Sequence, residues 1–207
     1  MKALPVIVLA ALTLAGCGGD DADETSAPPP ATVTETVTET LPPATTALPE
    51  QECSTSGLRL TLTEQDLPAA VADVRRRVFD AAVACDYDTL EQIALEQGEG
   101  FTFSYGAATD ASDYWRDVEE SASEEPLPMR ALAAILTTPF TRNESGSYAW
   151  PSAYSEKPTV EAWQALVDAG LYSPEQVGLM ITQGTGYLGY RTAITADGDW
   201  QFFVAGD

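Results

Sequence analysis

Histidine is absent from all 207 residues of this chain. Its absence excludes a Ser-His-Asp triad, a Cys-His pair and histidine-ligated metal sites within the chain. Basic residues are scarce as well, because ten lysines and arginines stand against 32 aspartates and glutamates, which gives a formal net charge of −22. A chain this acidic repels phosphate backbones and anionic lipid headgroups, so we expect no nucleic-acid partner.

The first apolar run is too short to remain in a membrane as a spanning helix. Lys2 gives the chain a positive start, residues 4–14 are almost wholly apolar, and Ala15-Gly16 supply the small residues that a signal peptidase needs. About a dozen apolar residues fall short of the roughly twenty that cross a bilayer as a helix. Residues 1–16 are therefore predicted to be an export signal.

Leu14-Ala15-Gly16-Cys17 resembles the lipobox of bacterial lipoproteins, and it lies at the position where that family has it. The resemblance implies diacylglyceryl attachment to the thiol of Cys17, cleavage before Cys17 and often acylation of the new amino group. Two or three acyl chains anchor a protein stably. The expected partner is thus the cell membrane, reached from its extracytoplasmic side. The alternative is an ordinary cleaved signal with an incidental cysteine.

Residues 17–52 are predicted to form a disordered, acidic tether behind the lipidated cysteine. Prolines interrupt the segment, and Val33-Thr34-Glu35-Thr36 repeats as Val37-Thr38-Glu39-Thr40. Proline removes backbone donors, like charges repel one another, and so few large apolar groups cannot offset the entropy of ordering. Loss of Lys2 with the signal changes the formal net charge from −22 to −23. Residues 18–52 hold eight acids and no base, so residues 53–207 carry the remaining −15.

Two cysteines, Cys53 and Cys85, remain once Cys17 carries lipid. An even pair in an exported chain favours a disulfide. The bridge would close a loop of about 33 residues, worth about 3–4 kcal/mol by chain entropy, and would join the start of the domain to the end of its first helix. In the alternative, Cys85 is a small buried hydrophobe and Cys53 is free in the tether.

Residues 53–207 are long enough for one domain with a single core, and their pattern predicts an α+β fold. Apolar residues recur at helical spacing after capping residues, and other runs alternate with the period of a strand. Predicted helices begin near residues 66, 86, 110, 129, 159 and 173. Predicted strands cover residues 58–62, 101–105, 148–150, 187–194 and 200–204.

The last two predicted strands flank Asp197-Gly198, the pair that a type I′ hairpin turn prefers. In the register of a two-residue turn, Ile194 opposes Gln201 and Thr192 opposes Phe203. Apolar side chains then fall on both faces, so we expect a sheet that is partly covered on both sides.

Three pieces of the domain are similar to the NTF2-like, or SnoaL-like, superfamily: the helix end at residues 84–90, the strand at residues 101–103 and the hairpin at residues 197–203. The resemblance implies N-terminal helices packed on a curved antiparallel sheet that encloses a cone-shaped pocket. No catalytic residue follows from it, because members differ in chemistry and many are not enzymes. Residues 198–207 also resemble the ends of uncharacterised exported bacterial proteins.

Gly184-Thr185-Gly186-Tyr187-Leu188-Gly189 fits the letters of a dinucleotide-binding G-x-G-x-x-G motif. Such a loop follows a strand and opens a helix whose N-terminus holds the pyrophosphate. Here the letters follow a helical segment and lead into a predicted strand. We therefore assign the glycines to a bend and a strand start, and we assign no cofactor.

Several clusters of charged or aromatic residues have a structural interpretation and a functional alternative. The pairs Asp86/Asp88, Asp110/Asp113 and Asp197/Asp199 are typical of helix caps and a turn, and less typical of acid–base catalysis. Arg75-Arg76-Arg77 is typical of a solvated face, with an anion clamp as the alternative. Glu119, Glu120, Glu124 and Glu125 are typical of an exposed acidic turn, with a cation site as the alternative. Trp115, Trp150, Trp163 and Trp200 belong to the core or line an apolar or sugar-stacking pocket.

These observations assign no catalytic, cofactor-binding or metal-ligating residue. The leading hypothesis is a non-enzymatic cell-envelope module that binds a small ligand or another envelope protein. The first alternative is a hydrolase or isomerase that uses aspartate and tyrosine, with a buried carboxylate near Tyr105 or Tyr190. The second is a structural spacer with no pocket and no exposed apolar patch. Asn143-Glu144-Ser145 matches a glycosylation sequon, which we take as incidental beside a bacterial signal.

Overall fold

The structure, a computed structural model, describes residues 53–96, 100–106, 108–122 and 125–206. The predicted export signal, the lipidation site at Cys17 and the predicted tether lie outside these ranges. Within them, no helix is both long enough and apolar enough to cross a membrane.

Helices precede and interrupt a small sheet. The elements follow one another as α1 Ala69–Val83, α2 Tyr87–Leu95, α3 Ala111–Ser121, α4 Pro128–Thr137, β1 Thr141–Arg142, β2 Tyr148–Trp150, a 3₁₀ turn Ser152–Tyr154, α5 Val160–Asp168, α6 Pro174–Gln183, β3 Arg191–Ile194 and β4 Trp200–Val204. The strands form one antiparallel sheet in the order β1-β2-β3-β4. The predicted α+β fold is therefore confirmed.

Local capping explains where most helices begin. The side chains of Asp86, Asp110 and Thr159 each accept a hydrogen bond from the backbone N–H three residues on, at 3.0, 2.9 and 3.2 Å. Ser173 forms a reciprocal capping box with Gln176. α1 and α4 are the exceptions, because the residues before them are Pro68 and Leu127 and no side chain caps either helix. The cap predicted at Asp66 is therefore wrong.

The two faces of the sheet meet different parts of the chain. Trp150, Thr192 and Phe203 are opposite one another across β2, β3 and β4, and so they share the face that packs against α1 and α4. On the other face Tyr154 of the 3₁₀ turn meets Phe202 edge-on, with ring centroids 6.4 Å apart. Both faces are covered, as the apolar pattern indicates.

The terminal hairpin is present, but its turn differs from the prediction. The N–H of Gly198 donates to the carbonyl of Thr195 at 3.0 Å, which places Ala196-Asp197 at the centre of the turn. Gly198 follows with a φ of 92°, a conformation that glycine adopts without steric cost. The longer turn comes with a bulge in β4, where Gln201 is the extra residue, so Ile194 opposes Trp200 and not Gln201.

Three predicted strands are absent or shorter than predicted. Residues 58–62 form no strand; Leu60 and Leu62 pack against the core while Arg59 and Thr61 are exposed, so their alternation reflects one buried side of an irregular segment. Residues 101–105 make only a parallel bridge at Thr102, which bonds β4 through one N–H and one carbonyl. The strand predicted from residue 187 begins only at residue 191.

Cys53 and Cys85 form a disulfide with their Cα atoms 5.8 Å apart, which confirms the predicted bridge. Beside it, Thr55 Oγ1 donates to the carbonyl of Val83 at 2.7 Å. The bridge and this bond hold the start of the domain against the end of α1.

Glu119 is a buried helix cap and not part of an exposed acidic turn, so that prediction is corrected. Its Oε1 accepts from Ser54 Oγ at 2.9 Å and from the N–H of Met129 at 2.7 Å. Met129 lies in the first turn of α4, where free N–H groups and the helix dipole favour a negative charge. Glu120 and Glu125 are exposed, and Glu124 lies outside the described residues.

Arg75 is also buried, so the arginine triplet is only in part a solvated face. Its Nε and Nη2 donate to the carbonyl of Leu136 at 3.1 and 2.6 Å, and its Nη1 donates to the carbonyl of Thr63 at 2.9 Å. Leu136 lies in the last turn of α4, where carbonyls lack partners within the helix. Burial lowers the pKa of Arg75 to about 10.

Candidate functional site

A polar cleft of about 860 Å³ opens between the β1–β2 hairpin and the segment that follows the 3₁₀ turn, and we call it the hairpin cleft. Its lining residues are Thr141, Arg142, Asn143, Glu144, Ser145, Tyr154, Ser155, Glu156 and Lys157. The volume lies within the range of small-molecule sites in proteins. Its lining is more polar than that of a typical apolar ligand pocket.

Asn143 shapes the hairpin side of the cleft. Its backbone carbonyl accepts from the N–H of Gly146 at 2.9 Å, and Gly146 has a φ of 81° that suits glycine. Its Oδ1 accepts from the N–H of Ser147 and from Ser145 Oγ, both at 2.8 Å. The side-chain NH₂ group has no hydrogen-bond partner among the described residues. The turn therefore fixes the amide and leaves two donors for a ligand.

Tyr154 forms an aromatic wall on the other side. Its ring contacts Phe202 edge-on, and the guanidinium carbon of Arg191 lies 5.2 Å from its centre. Arg191 is itself buried, donates to the carbonyl of Gly206 and lies 3.4 Å from the hydroxyl of Tyr105. These contacts fix the ring of Tyr154 from behind.

Two cations and two carboxylates line the hairpin cleft without forming an ion pair there. The guanidinium carbon of Arg142 lies 3.9 Å from the centre of the Tyr148 ring, a cation–π contact that holds its plane. Lys157, Glu144 and Glu156 are exposed. The ion pairs within the described ranges lie elsewhere and join Arg76 to Asp73, Arg77 to Glu96 and Arg116 to Asp88. The charges of the cleft are thus available to a ligand.

The four tryptophans belong to the core, and none of them lines the hairpin cleft. Trp115, Trp150, Trp163 and Trp200 have exposed fractions of 0, 0, 7 and 2%. Trp115 packs among Phe101, Phe103, Trp200 and Phe203. Its buried indole N–H has no acceptor among the described residues. The interpretation of these aromatics as core residues is confirmed.

The paired aspartates have structural positions. Asp86 and Asp110 cap α2 and α3, and the hydrogen bonds that they accept lower the pKa of both carboxyls. Asp88 pairs with Arg116 at 2.7 Å on the surface. The N–H of Asp199 donates to Thr195 Oγ1 at 3.0 Å and helps to close the hairpin turn.

Tyr105 and Tyr190, the tyrosines of the predicted enzyme pocket, lie in different environments. Tyr105 is 64% exposed, whereas Tyr190 is buried and stacks on Phe203 with ring centroids 5.0 Å apart. The carboxylate that lines a groove with Tyr190 is Glu125, which is exposed. Within the described ranges, the groove beside Tyr190 therefore holds an exposed carboxylate and not the buried one that the enzyme alternative expects.

The G-x-G-x-x-G letters follow α6 and lead into β3, as the sequence indicates. Gly184 ends α6 with a φ of 68°. Gly189 is required by close approach, because a Cβ there would lie 2.6 Å from Tyr187 Oη and closer still to Tyr172 Oη. Burial raises the pKa of Tyr172 and raises that of Tyr187 well above its usual value.

A second, smaller groove of about 380 Å³ lies beside Gly189. It is lined by Glu125, Pro126, Tyr172, Met180, Leu188, Gly189, Tyr190 and Ala205. Leu179 and Ile181 of α6 are exposed, as is Leu188. Within the described residues, no cluster of three or more acids and cysteines is arranged to hold a metal ion.

Sequence reasoning missed the hairpin cleft. In the sequence, Asn143-Glu144-Ser145 stands out only as a glycosylation sequon. β1 is two residues long, which is too short to show the alternation of polar and apolar residues that indicates a strand. A usable signal was the polar turn Asn143–Gly146 directly before the predicted strand at residue 148.

Comparisons with protein-family models, with curated proteins and with solved structures give no match for this chain.

Proposed function

We propose that this chain is a membrane-anchored extracytoplasmic lipoprotein whose domain binds a small polar ligand in the hairpin cleft without catalysing a reaction on it. The lipobox-like sequence ending at Cys17 supports the anchor. The hairpin cleft supports binding, because its amide, hydroxyl, cationic and carboxylate groups face a concave space and several have no partner within the described residues.

The exposure of the two carboxylates in the hairpin cleft favours binding over catalysis. Glu144 and Glu156 are exposed, and among the described residues neither pairs with a second acid–base group of the cleft. General acid–base catalysis uses carboxylates that burial and neighbouring charges tune to the operating pH. An enzyme that uses aspartate and tyrosine is the alternative, and the exposure of Tyr105 and of Glu125 in the groove beside Tyr190 counts against it.

The NTF2-like arrangement, with a curved sheet and a cone-shaped pocket, belongs to this proposal as the finer form of the α+β fold. The order of elements supports it, because α1, α2 and α3 precede the sheet and the β3–β4 hairpin ends it. A structural spacer is the remaining alternative, and the hairpin cleft with the exposed Leu179 and Ile181 counts against it.

The anchor is tested by Cys17→Ser in cells that export the chain. The substitution removes the thiol that would carry the diacylglyceryl group, so we expect the protein to move from the membrane fraction to the soluble fraction. Mass spectrometry of the unsubstituted chain should find acyl groups on Cys17. Membrane association that survives the substitution would contradict the anchor.

Binding is tested with residues 17–207 carrying Cys17→Ser, which retain every described residue. Amide NMR shifts are followed during titration with sugars, amino acids, acetate and inorganic phosphate. We expect shifts at residues 141–145 and 154–157 with at least one class, and loss of binding in Tyr154→Ala. If none of these classes shifts the cleft, or if only a protein partner binds, the small-ligand proposal is wrong.

A further inference from the structure

The register of the sheet shows which side chains of the hairpin cleft share a face with Tyr154. The ring of Tyr154 meets Phe202 edge-on. The residues paired with Phe202 across the strands form a row that consists of Ala193, Ala149 and Thr141. Arg142 follows Thr141 and therefore lies with Tyr148 on the opposite face. On the face of Tyr154, the β1–β2 hairpin thus offers the hydroxyl of Thr141 and not a guanidinium.

The charges around Tyr154 favour a ligand without net charge. Glu144 and Glu156 line the cleft and the domain as a whole carries −15, so both would repel an anion. A cation would meet Lys157 in the lining, and it would compete with Arg191, whose guanidinium carbon already lies 5.2 Å from the centre of the Tyr154 ring. A neutral ligand avoids both kinds of repulsion.

The uncharged polar groups of the cleft suit a ligand rich in hydroxyls. The side-chain NH₂ group of Asn143 and the hydroxyls of Thr141 and Ser155 have no hydrogen-bond partner among the described residues. Hydroxyl groups both donate and accept, so one ligand of this kind bonds an amide, a hydroxyl and a carboxylate alike. An apolar ligand would displace water from these groups and leave them unpaired, which costs free energy.

Tyr154 adds an aromatic surface that is already held in place. Its half-buried ring lines the cleft, and Phe202 and Arg191 contact it from behind. Packing on a ring that is fixed in this way costs little further ordering of the side chain. The C–H groups of a pyranose pack on an aromatic face, whereas an open-chain polyol has no comparable face.

Tyr105 extends the aromatic surface beyond the cleft. It is 64% exposed and lies outside the cleft lining. Its hydroxyl is 3.4 Å from Nη2 of Arg191, the same guanidinium that lies against Tyr154. With one C–N bond between the two guanidinium atoms, the hydroxyl of Tyr105 lies at most about 10 Å from the centre of the Tyr154 ring. A chain of two or three sugar units covers this distance.

We infer that the hairpin cleft binds a short neutral oligosaccharide whose chain runs from Tyr154 to Tyr105. One pyranose unit packs on Tyr154 and bonds the amide of Asn143, and a following unit packs on Tyr105. This inference rests on the proposed function, since it names the ligand class of the same cleft and adds Tyr105 to its binding surface.

Isothermal titration calorimetry of residues 17–207 with Cys17→Ser tests the ligand class, and amide NMR shifts measure affinities that are too weak for calorimetry. The neutral chains are maltotriose, cellotriose and triacetylchitotriose, and their single units are glucose and N-acetylglucosamine. Glucuronate and glucosamine add a negative or a positive charge, and sorbitol keeps the hydroxyls without a ring. We expect at least one trisaccharide to bind at least about tenfold more tightly than its single unit. The neutral unit should bind more tightly than its charged forms and sorbitol.

Four variants separate the two tyrosines. Tyr105→Ala should lower affinity for the trisaccharide about tenfold and leave affinity for the single unit unchanged. Tyr154→Ala should weaken both, whereas Tyr154→Phe keeps the ring and should retain both. Leu179→Ala is the control, because it truncates another exposed apolar side chain outside the cleft and should change neither. Circular dichroism checks that each variant is folded.

Contrary results would overturn separate parts of the inference. Binding of glucuronate or glucosamine as tight as that of glucose would overturn the neutral class, and equally tight binding of sorbitol would overturn packing of a sugar ring. Trisaccharide affinity that Tyr105→Ala leaves unchanged, or that Leu179→Ala lowers equally, would overturn the extension to Tyr105. If no saccharide binds but an amino acid, acetate or phosphate shifts the cleft, the inference fails and the proposed function stands. If none of these classes binds, both fail.

Discussion

Arg75→Ala tests how the buried guanidinium holds the domain together. The side chain is 3% exposed, and its three N–H donors supply bonds to the carbonyls of Leu136 and Thr63. Its removal leaves the carbonyl of Leu136 buried and unpaired, at a cost of about 1–3 kcal/mol, whereas water can reach the carbonyl of Thr63, an exposed residue. Loss of the packed side-chain stem adds to this cost and loss of a desolvated charge offsets part of it, so we expect a net destabilisation of about 2–3 kcal/mol.

Arg76→Ala is the matched control on the next residue. Arg76 is exposed and pairs only with Asp73 at i,i+3 spacing, so its loss should change the free energy of unfolding by at most about 0.5 kcal/mol. Urea unfolding followed by circular dichroism measures both variants. The melting temperature of Arg75→Ala should fall by about 4–12 °C, from about 2–4 °C per kcal/mol for a domain of this size.

Arg75→Met separates hydrogen bonding from packing, because it keeps an apolar stem and removes the donors. We expect its free energy of unfolding to lie between that of Arg75→Ala and that of the unsubstituted protein. Equal stability of Arg75→Ala and Arg76→Ala would refute the conclusion that the triplet contains one buried structural residue.

Three further predictions concern the disulfide, a glycine and a tyrosine. Replacing Cys53 and Cys85 by serine should cost about 3–4 kcal/mol in urea unfolding, from the entropy of the opened loop; a cost near zero would show that the bridge constrains little. Gly189→Ala should destabilise the domain by about 1–3 kcal/mol, because the new Cβ meets two tyrosine hydroxyls. Gly178→Ala is the control; it lies in open space on α6 and should stabilise the domain slightly. If Gly178→Ala were the more destabilising of the two, the packing around Gly189 would be contradicted. Burial, with a smaller effect of the Glu119 carboxylate, raises the pKa of Tyr87 to about 12. As the pH rises, the tyrosine therefore loses its proton in the unfolded chain before it does so in the folded one. The free energy of unfolding should fall between about pH 10 and pH 12. Tyr87→Phe should make that fall shallower by about 2–3 kcal/mol in unfolding at high pH, and an unchanged slope would exclude Tyr87 as a source.

Helix starts were predictable because their causes are local. Asp86, Asp110 and Thr159 each accept a bond from a backbone N–H three residues away, and a proline or glycine marks other ends. The disulfide was predictable from cysteine count and the expected export. None of these predictions requires knowing which residues from distant parts of the chain pack against the feature.

Features that depend on distant partners were missed. The alternation at residues 58–62 is that of a strand, but no neighbouring strand pairs with it. Arg75 and Glu119 are charged residues whose burial depends on α4, 61 and 10 residues away in sequence. No periodic pattern distinguishes a charge that caps a distant helix from one in solvent.

The hairpin cleft was missed for a related reason. Its residues are mostly exposed and polar, and they come from two segments joined only by the folding of β1 and β2. Among the aromatic residues, the sequence pointed to the four tryptophans as candidate pocket residues, whereas Tyr154 is the aromatic residue that lines the cleft.

The most direct test of the central claim is an amide NMR titration of residues 17–207, carrying Cys17→Ser, with the tightest-binding of the sugars, amino acids, acetate and inorganic phosphate. We predict saturable shifts concentrated at residues 141–145 and 154–157, and their loss in Tyr154→Ala. Shifts confined to the groove around Tyr172 and Leu188, or the absence of any saturable shift, would contradict the assignment of the hairpin cleft as the ligand site.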